Sequence, residues 1–245
     1  MIGVLTSNFV LYYDLVQALQ RREVPFVSLT FDQEIPSLVR VVIAAEENRE
    51  EISFDNVIYA SQTRDIDEII DRALLNMYRT RAVPEIIIGI DPGATPGMAI
   101  FCEGKLLRRF TAQSVPKSVT CALSCIENWH DCHIIIRIGH GAHLIRNRII
   151  NMLLDKATNI EIVNETSTTP PNTHDDTMAA ALIAMTPGKQ VHGRLSVLPT
   201  DGEIRDAQRK SRLISGDVTI SKELARKVLT GKMEMHRAIE TQQQK

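Results

Sequence analysis

The chain has 245 residues, 44% hydrophobic and 24% charged, with 28 basic and 30 acidic side chains that leave a formal net charge of -2. This composition excludes a disordered chain and a collagenous or coiled-coil rod, and no run approaches the roughly eighteen uninterrupted apolar residues of a membrane span. The first twelve residues lack the basic flank and small-residue cleavage site of a signal peptide, so a cytoplasmic location is expected.

The overall charge hides a polarity. Residues 1–84 carry 8 basic and 13 acidic side chains, residues 85–188 carry 8 and 10, and residues 189–245 carry 12 and 7. An acidic front and a nearly balanced middle thus precede a basic tail suited to approach phosphate.

In chain order, residues 2–6 read as a strand, and residues 9–22 follow with apolar positions at helical spacing, among them Val10, Leu11, Leu15, Ala18 and Leu19. Residues 25–30, 39–45 and 56–60 read as further short strands whose β-branched content suits a parallel sheet. The acidic stretch 46–51 reads as a solvated turn. Residues 65–78 form a second predicted helix, begun by Thr63 or Asp65 and acidic in its first turn. This is a small βα, Rossmann-like domain over residues 1–80, without a GxGxxG after its first strand and so without a dinucleotide site. Asp14 and Asp32 invite comparison with a phosphate-receiving acidic pocket, but no matching lysine accompanies them, and they read as solvated acids.

Residues 79–85, with Pro84, read as a linker. Strands then follow at 86–91, 96–101 and 105–112, joined by turns at Gly93 and Gly104, an antiparallel meander. Residues 118–130 read as a helix, 133–138 as a strand, 142–156 as a helix, 160–163 as a strand and 175–185 as a helix. That succession is the element order of the RNase H-like fold, a mixed sheet flanked by helices over residues 85–188. The basic extension 189–245 reads as mainly helical, with helices at 203–215 and 221–230 stopped by Gly216 and Gly231. Arg205, Arg209, Lys210 and Arg212 there are the candidate nucleic-acid contacts, and the Gln-rich end 241–245 reads as frayed.

Three acidic segments stand out. In Gly89-Ile90-Asp91-Pro92-Gly93-Ala94-Thr95-Pro96-Gly97 a carboxylate closes an apolar strand, where an ion is costly unless a cation or hydrogen bonds compensate it. A plain hairpin capped by Asp91 is the structural alternative. Asn164-Glu165-Thr166-Ser167-Thr168-Thr169 again ends a strand in an acid, and His174-Asp175-Asp176-Thr177-Met178-Ala179-Ala180 opens a helix with acids. Carboxylates gathered at one point repel each other, and hard Mg²⁺ or Mn²⁺ is the usual relief.

These segments resemble the RuvC/YqgF family of RNase H-like nucleases, which includes Holliday-junction resolvases, over about residues 85–186. The glycine-rich turn after the first strand implies that Asp91 is the central metal ligand. The segment Asn164 to Thr169 is similar to the family's Asp-Glu-Arg-x-Thr-Thr and places Glu165 at its acid, with Asn164 and Thr166 departing from the pattern. Asp176 and the small-residue run after it match the start of the last helix, making Asp176 the third ligand and Asp175 an auxiliary ligand or a helix-start acid. Where RuvC carries a further glutamate this chain reads Arg137-Ile138-Gly139-His140, closer to the YqgF branch. His140 and Arg137 are then auxiliary candidates, with a loop histidine and a salt bridge as the alternatives.

The resemblance implies metal-dependent phosphodiester hydrolysis, with two Mg²⁺ or Mn²⁺ ions about 4 Å apart, on structured nucleic acid, branched DNA favoured over RNA. Symmetric cutting of a junction further implies a homodimer. A non-catalytic nucleic-acid-binding module is the competing reading. Asp91-Pro92-Gly93 also resembles a phosphate-binding turn of the sugar kinase and actin group, although one short domain lacks the second lobe that encloses ATP. Cys121, Cys125 and Cys132, near His130 and His133, contain no CxxC pair and read as free core thiols rather than a zinc cluster.

Overall fold

The computed structural model describes residues 1–60, 65–157, 159–164 and 175–244. The chain is α/β, with a parallel sheet in front, a mixed sheet in the middle and helices at the end.

In front, β1 (Ile2–Leu5), β2 (Phe26–Ser28), β3 (Val41–Ala45) and β4 (Val57–Ala60) pair in the order β2-β1-β3-β4, every neighbour parallel. Helix α1 (Phe9–Arg21) starts where the Asn8 side chain accepts from the Leu11 N–H, and α2 (Ile66–Tyr78) where Asp65 accepts from Asp67. Both helices bury one apolar stripe, Leu11, Leu15 and Leu19 on α1 and Ile70, Ala73 and Leu74 on α2. The stretch read as a solvated turn, Glu46–Glu51, is a short 3-10 helix, because the buried Asn48 amide draws it onto the sheet.

In the middle, β5 (Glu85–Asp91), β6 (Gly97–Cys102) and β7 (Lys105–Thr111) form the expected antiparallel meander. Helix α3 (Val115–Asn128) leads to β8 (His133–Gly139), parallel to β5, and α4 (His143–Leu153) to β9 (Ile160–Val163), parallel to β8. Then come α5 (Asp176–Met185) and β10 (Lys189–Gln190), a two-residue antiparallel edge too short to leave a sequence pattern. The sheet order is β10-β9-β8-β5-β6-β7. Helix α3 begins three residues before its predicted start, since Ser114 caps it and Pro116 suits the first turn. Helix α4 ends before its predicted stop, where the N–H groups of Lys156 and Ala157 both return to the Leu153 carbonyl.

Strand alternation gives this sheet two different faces. Ile86, Ile88 and Ile90 enter the main core, which runs without a break from Ile2 and Leu15 in the front unit to Ile149 on α4. Ile87, Ala99 and Phe101 face the other way, under Ala180 and Ala184 of α5. The two units therefore share a core across the expected linker, and Arg22 after α1 donates to the Leu107 carbonyl of β7 at 2.8 Å.

The basic extension is a three-helix bundle with its own core. Helices α6 (Asp201–Ser215), α7 (Lys222–Leu229) and α8 (Met235–Gln243) bury Ile204, Ile220, Leu224, Ala238 and Ile239 against each other. Thr200 and Glu203 close a capping box at the start of α6, and Gly216 and Gly231 end α6 and α7 at φ 92° and 70°. Within the end expected to fray, Thr241, Gln242 and Gln243 form the last turn of α8, because the Gln242 side chain accepts from the Ser221 N–H at 2.8 Å, while Lys245 lies outside the described residues. Among the described residues no helix is long and apolar enough to cross a membrane.

Candidate active site

Asp91 is the last residue of β5 and follows the parity of Ile87 and Gly89, so it stands on the face covered by α5. Its partner across the ladder is Gly97, the first residue of β6. A Cβ at Gly97 would overlap the backbone carbonyl of Asp176 and lie 3.1 Å from the Asp176 Cβ. Gly89 serves the same purpose a turn further along the helix, where a Cβ would overlap the Ala180 carbonyl. The two glycines let α5 settle onto the sheet and carry Asp176 to the end of β5. Asp91 and Asp176, 85 positions apart in the chain, become neighbours through Gly97. Asp91 is partly buried and Asp176 exposed.

Asp175 has a structural task. Its Oδ1 accepts from the Thr177 N–H at 2.9 Å, the Thr177 hydroxyl at 2.7 Å and the Met178 N–H at 3.4 Å, capping α5. The Thr177 hydroxyl and the backbone donors hold this carboxyl below its usual range. That geometry fits a helix-start acid, the second of the two roles expected for it. Glu165 lies outside the described residues. Among the described residues, no group of three or more His, Cys, Asp or Glu gathers in a way that could hold a metal ion.

Of the auxiliary candidates, Arg137 forms the salt bridge. Its Nε donates to Glu161 Oε2 at 2.8 Å and its Nη1 to the Ala184 carbonyl at 2.6 Å, which fastens the end of α5 to β8. Gly89 stands opposite Arg137 in the ladder, two residues back from Asp91, so this guanidinium lies behind the acidic edge. His140 is exposed just past the end of β8, on the rim of a cleft of about 460 Å³ that also includes Asn164, Lys189, His192 and Arg194.

Two arginines missed in the sequence stand near this edge. Arg109 on β7 donates to the Met178 sulfur on α5, and its charge helps keep Asp175 ionised. The alternation of β7 was the available signal: Arg109 pairs with Ala99, whose side chain faces α5. Arg146 on α4 is only 8% exposed, donates to the His140 carbonyl at 2.8 Å, and has no carboxylate within ion-pair distance among the described residues. Nothing in the local sequence marks it, because an arginine in an amphipathic helix normally faces water.

In the tail, Arg205, Arg209, Lys210 and Arg212 are all exposed. At about 100° per residue, Arg205, Arg209 and Arg212 share one stripe of α6, whereas Lys210 stands apart from it. Arg209 and Lys210 pair with Asp206 at 2.8 Å and 3.2 Å on the surface, where such pairs contribute little.

The carboxyl edge of the front sheet is built otherwise. Asn48 Oδ1 accepts from the Ser7 N–H at 3.3 Å, and Asn48 Nδ2 donates to Ser7 Oγ at 3.0 Å and Glu51 Oε1 at 2.9 Å. Asn8 donates to Glu47 Oε1 at 3.1 Å. Asp14 lies exposed on α1 and Asp32 exposed beyond β2, outside this network.

Residues 1–77 match the family model of a response regulator receiver-like domain, and residues 200–244 match that of a three helical bundle domain. No curated protein matches the chain.

Proposed function

We propose that residues 85–188 are an RNase H-like, metal-dependent endonuclease domain acting on structured nucleic acid, with branched DNA as the favoured substrate. The observation that carries this reading is the meeting of Asp91 and Asp176 over Gly97 at the carboxyl edge of the sheet. The strand order β7-β6-β5-β8-β9, with β6 alone reversed among these five, supports the same reading.

The donor set fits a hard divalent cation. Asp91 and Asp176 offer carboxylate oxygens, the ligands Mg²⁺ and Mn²⁺ prefer, and Glu165 completes the set in the RuvC/YqgF resemblance. When bound, the metal would supply an activated water and neutralise charge on the leaving 3′ oxygen. The chain itself would hold the metal with Asp91, Asp176 and Glu165, fix the α5 acid through the Asp175 cap, and offer Arg109 to an incoming phosphate. The Arg205, Arg209 and Arg212 stripe would hold the backbone of the nucleic acid away from the reacting bond.

The test is a cleavage panel of single-stranded, duplex, flap and four-way DNA and structured RNA in Mg²⁺ and in Mn²⁺, run beside Asp91→Asn and Asp176→Asn. Cutting of the four-way junction that both substitutions abolish is the expected result, and no cutting of any substrate by the native chain would refute it. A second reading, a nucleic-acid-binding module without catalysis, draws on the arginine stripe, which sits on a separately cored bundle and requires no metal. Junction binding that survives Asp91→Asn, without cleavage by the native chain, would select it. A homodimer belongs to the catalytic reading, and a purely monomeric chain at working concentration would count against paired cuts.

A further inference from the structure

Where the front unit meets the mixed sheet, six charged or ionisable side chains converge from the end of α1, α2, β7 and α3. Arg22, after α1, places Nη2 2.6 Å from Asp71 Oδ1 on α2 and Nη1 3.3 Å from Asp67 Oδ1. Arg108 on β7 places Nε 3.0 Å from the other oxygen of Asp71. The same guanidinium extends Nη2 to Cys121 Sγ on α3 at 3.5 Å. A turn further along α3, the Cys125 thiol donates to the Cys121 sulfur.

Arg108 divides its guanidinium between Asp71 and Cys121. Asp71 is 1% exposed and has a guanidinium beside each oxygen. Burial raises its pKa above the ordinary carboxylate value, against the opposing pull of Arg108 and Arg22. Asp67 is the only other carboxylate paired with these arginines among the described residues, and it is shared with the exposed Arg21 at 3.2 Å. Arg22, half-buried, thus meets two carboxylates, whereas Arg108, also half-buried, meets one and turns its Nη2 to the Cys121 sulfur. A sulfur anion at Cys121 would be stabilised by that guanidinium.

We propose that Cys121 is a thiolate held by Arg108 and Cys125, and that it is a site of reversible oxidation by hydroperoxides. The other thiols differ in kind. Burial pushes Cys102 up to about 11 and Cys132 up to about 12, and Cys125, the hydrogen-bond donor of the pair, is raised well above the ordinary thiol value. Cys121 alone is lowered, to about 7, by the Cys125 hydrogen bond and then by Arg108, against the effect of burial. Asp71 opposes the shift, and no other titratable group on α1, α2 or β7 is within bonding distance of this sulfur among the described residues.

With hydrogen peroxide, the Cys121 sulfur attacks one oxygen, an S–O bond forms as the O–O bond breaks, and hydroxide departs. Sulfur is oxidised by two electrons and the peroxide is reduced by two. The product is a sulfenic acid. Cβ atoms four residues apart on an intact helix lie about 5–6 Å apart, beyond the roughly 3.5–4.5 Å of a disulfide, so Cys125 stabilises the product rather than closing on it. Protonated sulfenic acid no longer pairs with the Arg108 guanidinium, which also holds Asp71 of the front unit, and this links oxidation to the packing of the two units.

The full-length protein is treated with iodoacetamide across pH 6–10, and separately with hydrogen peroxide and a sulfenic-acid-specific dione, with each cysteine followed by peptide mass spectrometry. Cys121 is expected to alkylate with a midpoint near neutrality and to carry the dione adduct alone among the four cysteines. Cys125→Ala, which removes the hydrogen-bond donor with little loss of volume, should raise that midpoint and slow labelling at pH 7 about tenfold. Arg108→Lys should retain more of the reactivity than Arg108→Met. Peroxide should lower the melting temperature of the native chain and leave that of Cys121→Ser unchanged. Labelling of Cys121 no faster than Cys132, or a midpoint unmoved by Cys125→Ala, would overturn the proposal.

Discussion

At the carboxyl ends of its strands the front sheet carries Ser7, Asn8, Glu47 and Asn48, whereas the mixed sheet carries Asp91 with Asp176 laid over Gly97. Both are edges where open α/β sheets commonly receive ligands. In front, the Asn48 amide bonds in both directions, to a hydroxyl, a backbone N–H and a carboxylate of its own unit. In the mixed sheet, two acids arrive from elements distant in sequence, and neighbouring like charges favour a cation between them. The front edge is built from neighbours within one unit, whereas the mixed-sheet edge depends on how closely a distant helix packs on the strands.

The approach of α5 to the mixed sheet is the feature whose loss should matter most. In Gly97→Ala the new Cβ would overlap the Asp176 backbone, so α5 must lift. Under the proposed function junction cleavage should vanish, and denaturant unfolding should report a loss of about 1–3 kcal/mol. The matched change in the front sheet, Gly3→Ala, meets the tip of the Leu29 side chain at 2.6 Å, which can rotate away. Its effect should be smaller on stability and nil on cleavage. Equal tolerance of both substitutions would remove the distinction between the two edges.

The junction of the two units gives the next effect. Asp71→Asn leaves Arg22 and Arg108 without their shared carboxylate, and breaking a buried pair by removing one partner typically costs about 3–5 kcal/mol. Urea unfolding should show that loss in the native chain's main transition, because the core is continuous through both units. Two separate transitions in the native protein would mean that the units are energetically independent. A smaller loss, about 1–3 kcal/mol, is expected for Asn48→Ala, which removes the hub of the front edge. Under the proposed function its junction cleavage should equal that of the native chain, and a loss would tie the front edge to the proposed reaction.

The order of elements was legible because their patterns are local. The apolar run Ile86 to Ile90 gives a strand, and Asp175 marks a helix start by short-range hydrogen bonds, whereas the caps Ser114 and Thr200 lie ahead of the starts read at 118 and 203. Asp91 and Asp176 were identifiable as candidates, since an acid at a strand end and another at a helix start are features of single segments. That Gly97 joins them was not legible, because it depends on how closely α5 approaches the sheet. The fate of Arg137 was equally hidden: its partner Glu161 lies on the neighbouring strand, and register decides the pairing. Helix α8 escaped notice because its buried side is only Ala238 and Ile239, too few residues to show a period among glutamines.

The smallest effect we expect is a pH dependence located at the junction rather than at either edge. Cys121 ionises near 7 in the folded chain and near the ordinary thiol value of 9.0 when unfolded. A group whose folded value is depressed contributes stability above its unfolded value, and loses it as pH falls through the folded value. Stability should therefore rise from pH 7 to pH 9, by an amount on the order of 1 kcal/mol. The amino terminus, lowered by burial and by Arg40, acts in the same direction below its ordinary value of 8.0. Cys102 and Cys132 act oppositely, since their raised folded values near 11 and 12 remove stability only above pH 9. Urea unfolding at pH 7, 8 and 9 in the presence of a reductant should thus climb in the native chain and climb less in Cys121→Ser, the difference isolating the thiolate from the amino terminus. Identical slopes in the two proteins would mean that Cys121 carries no thiolate beside Arg108 in this range.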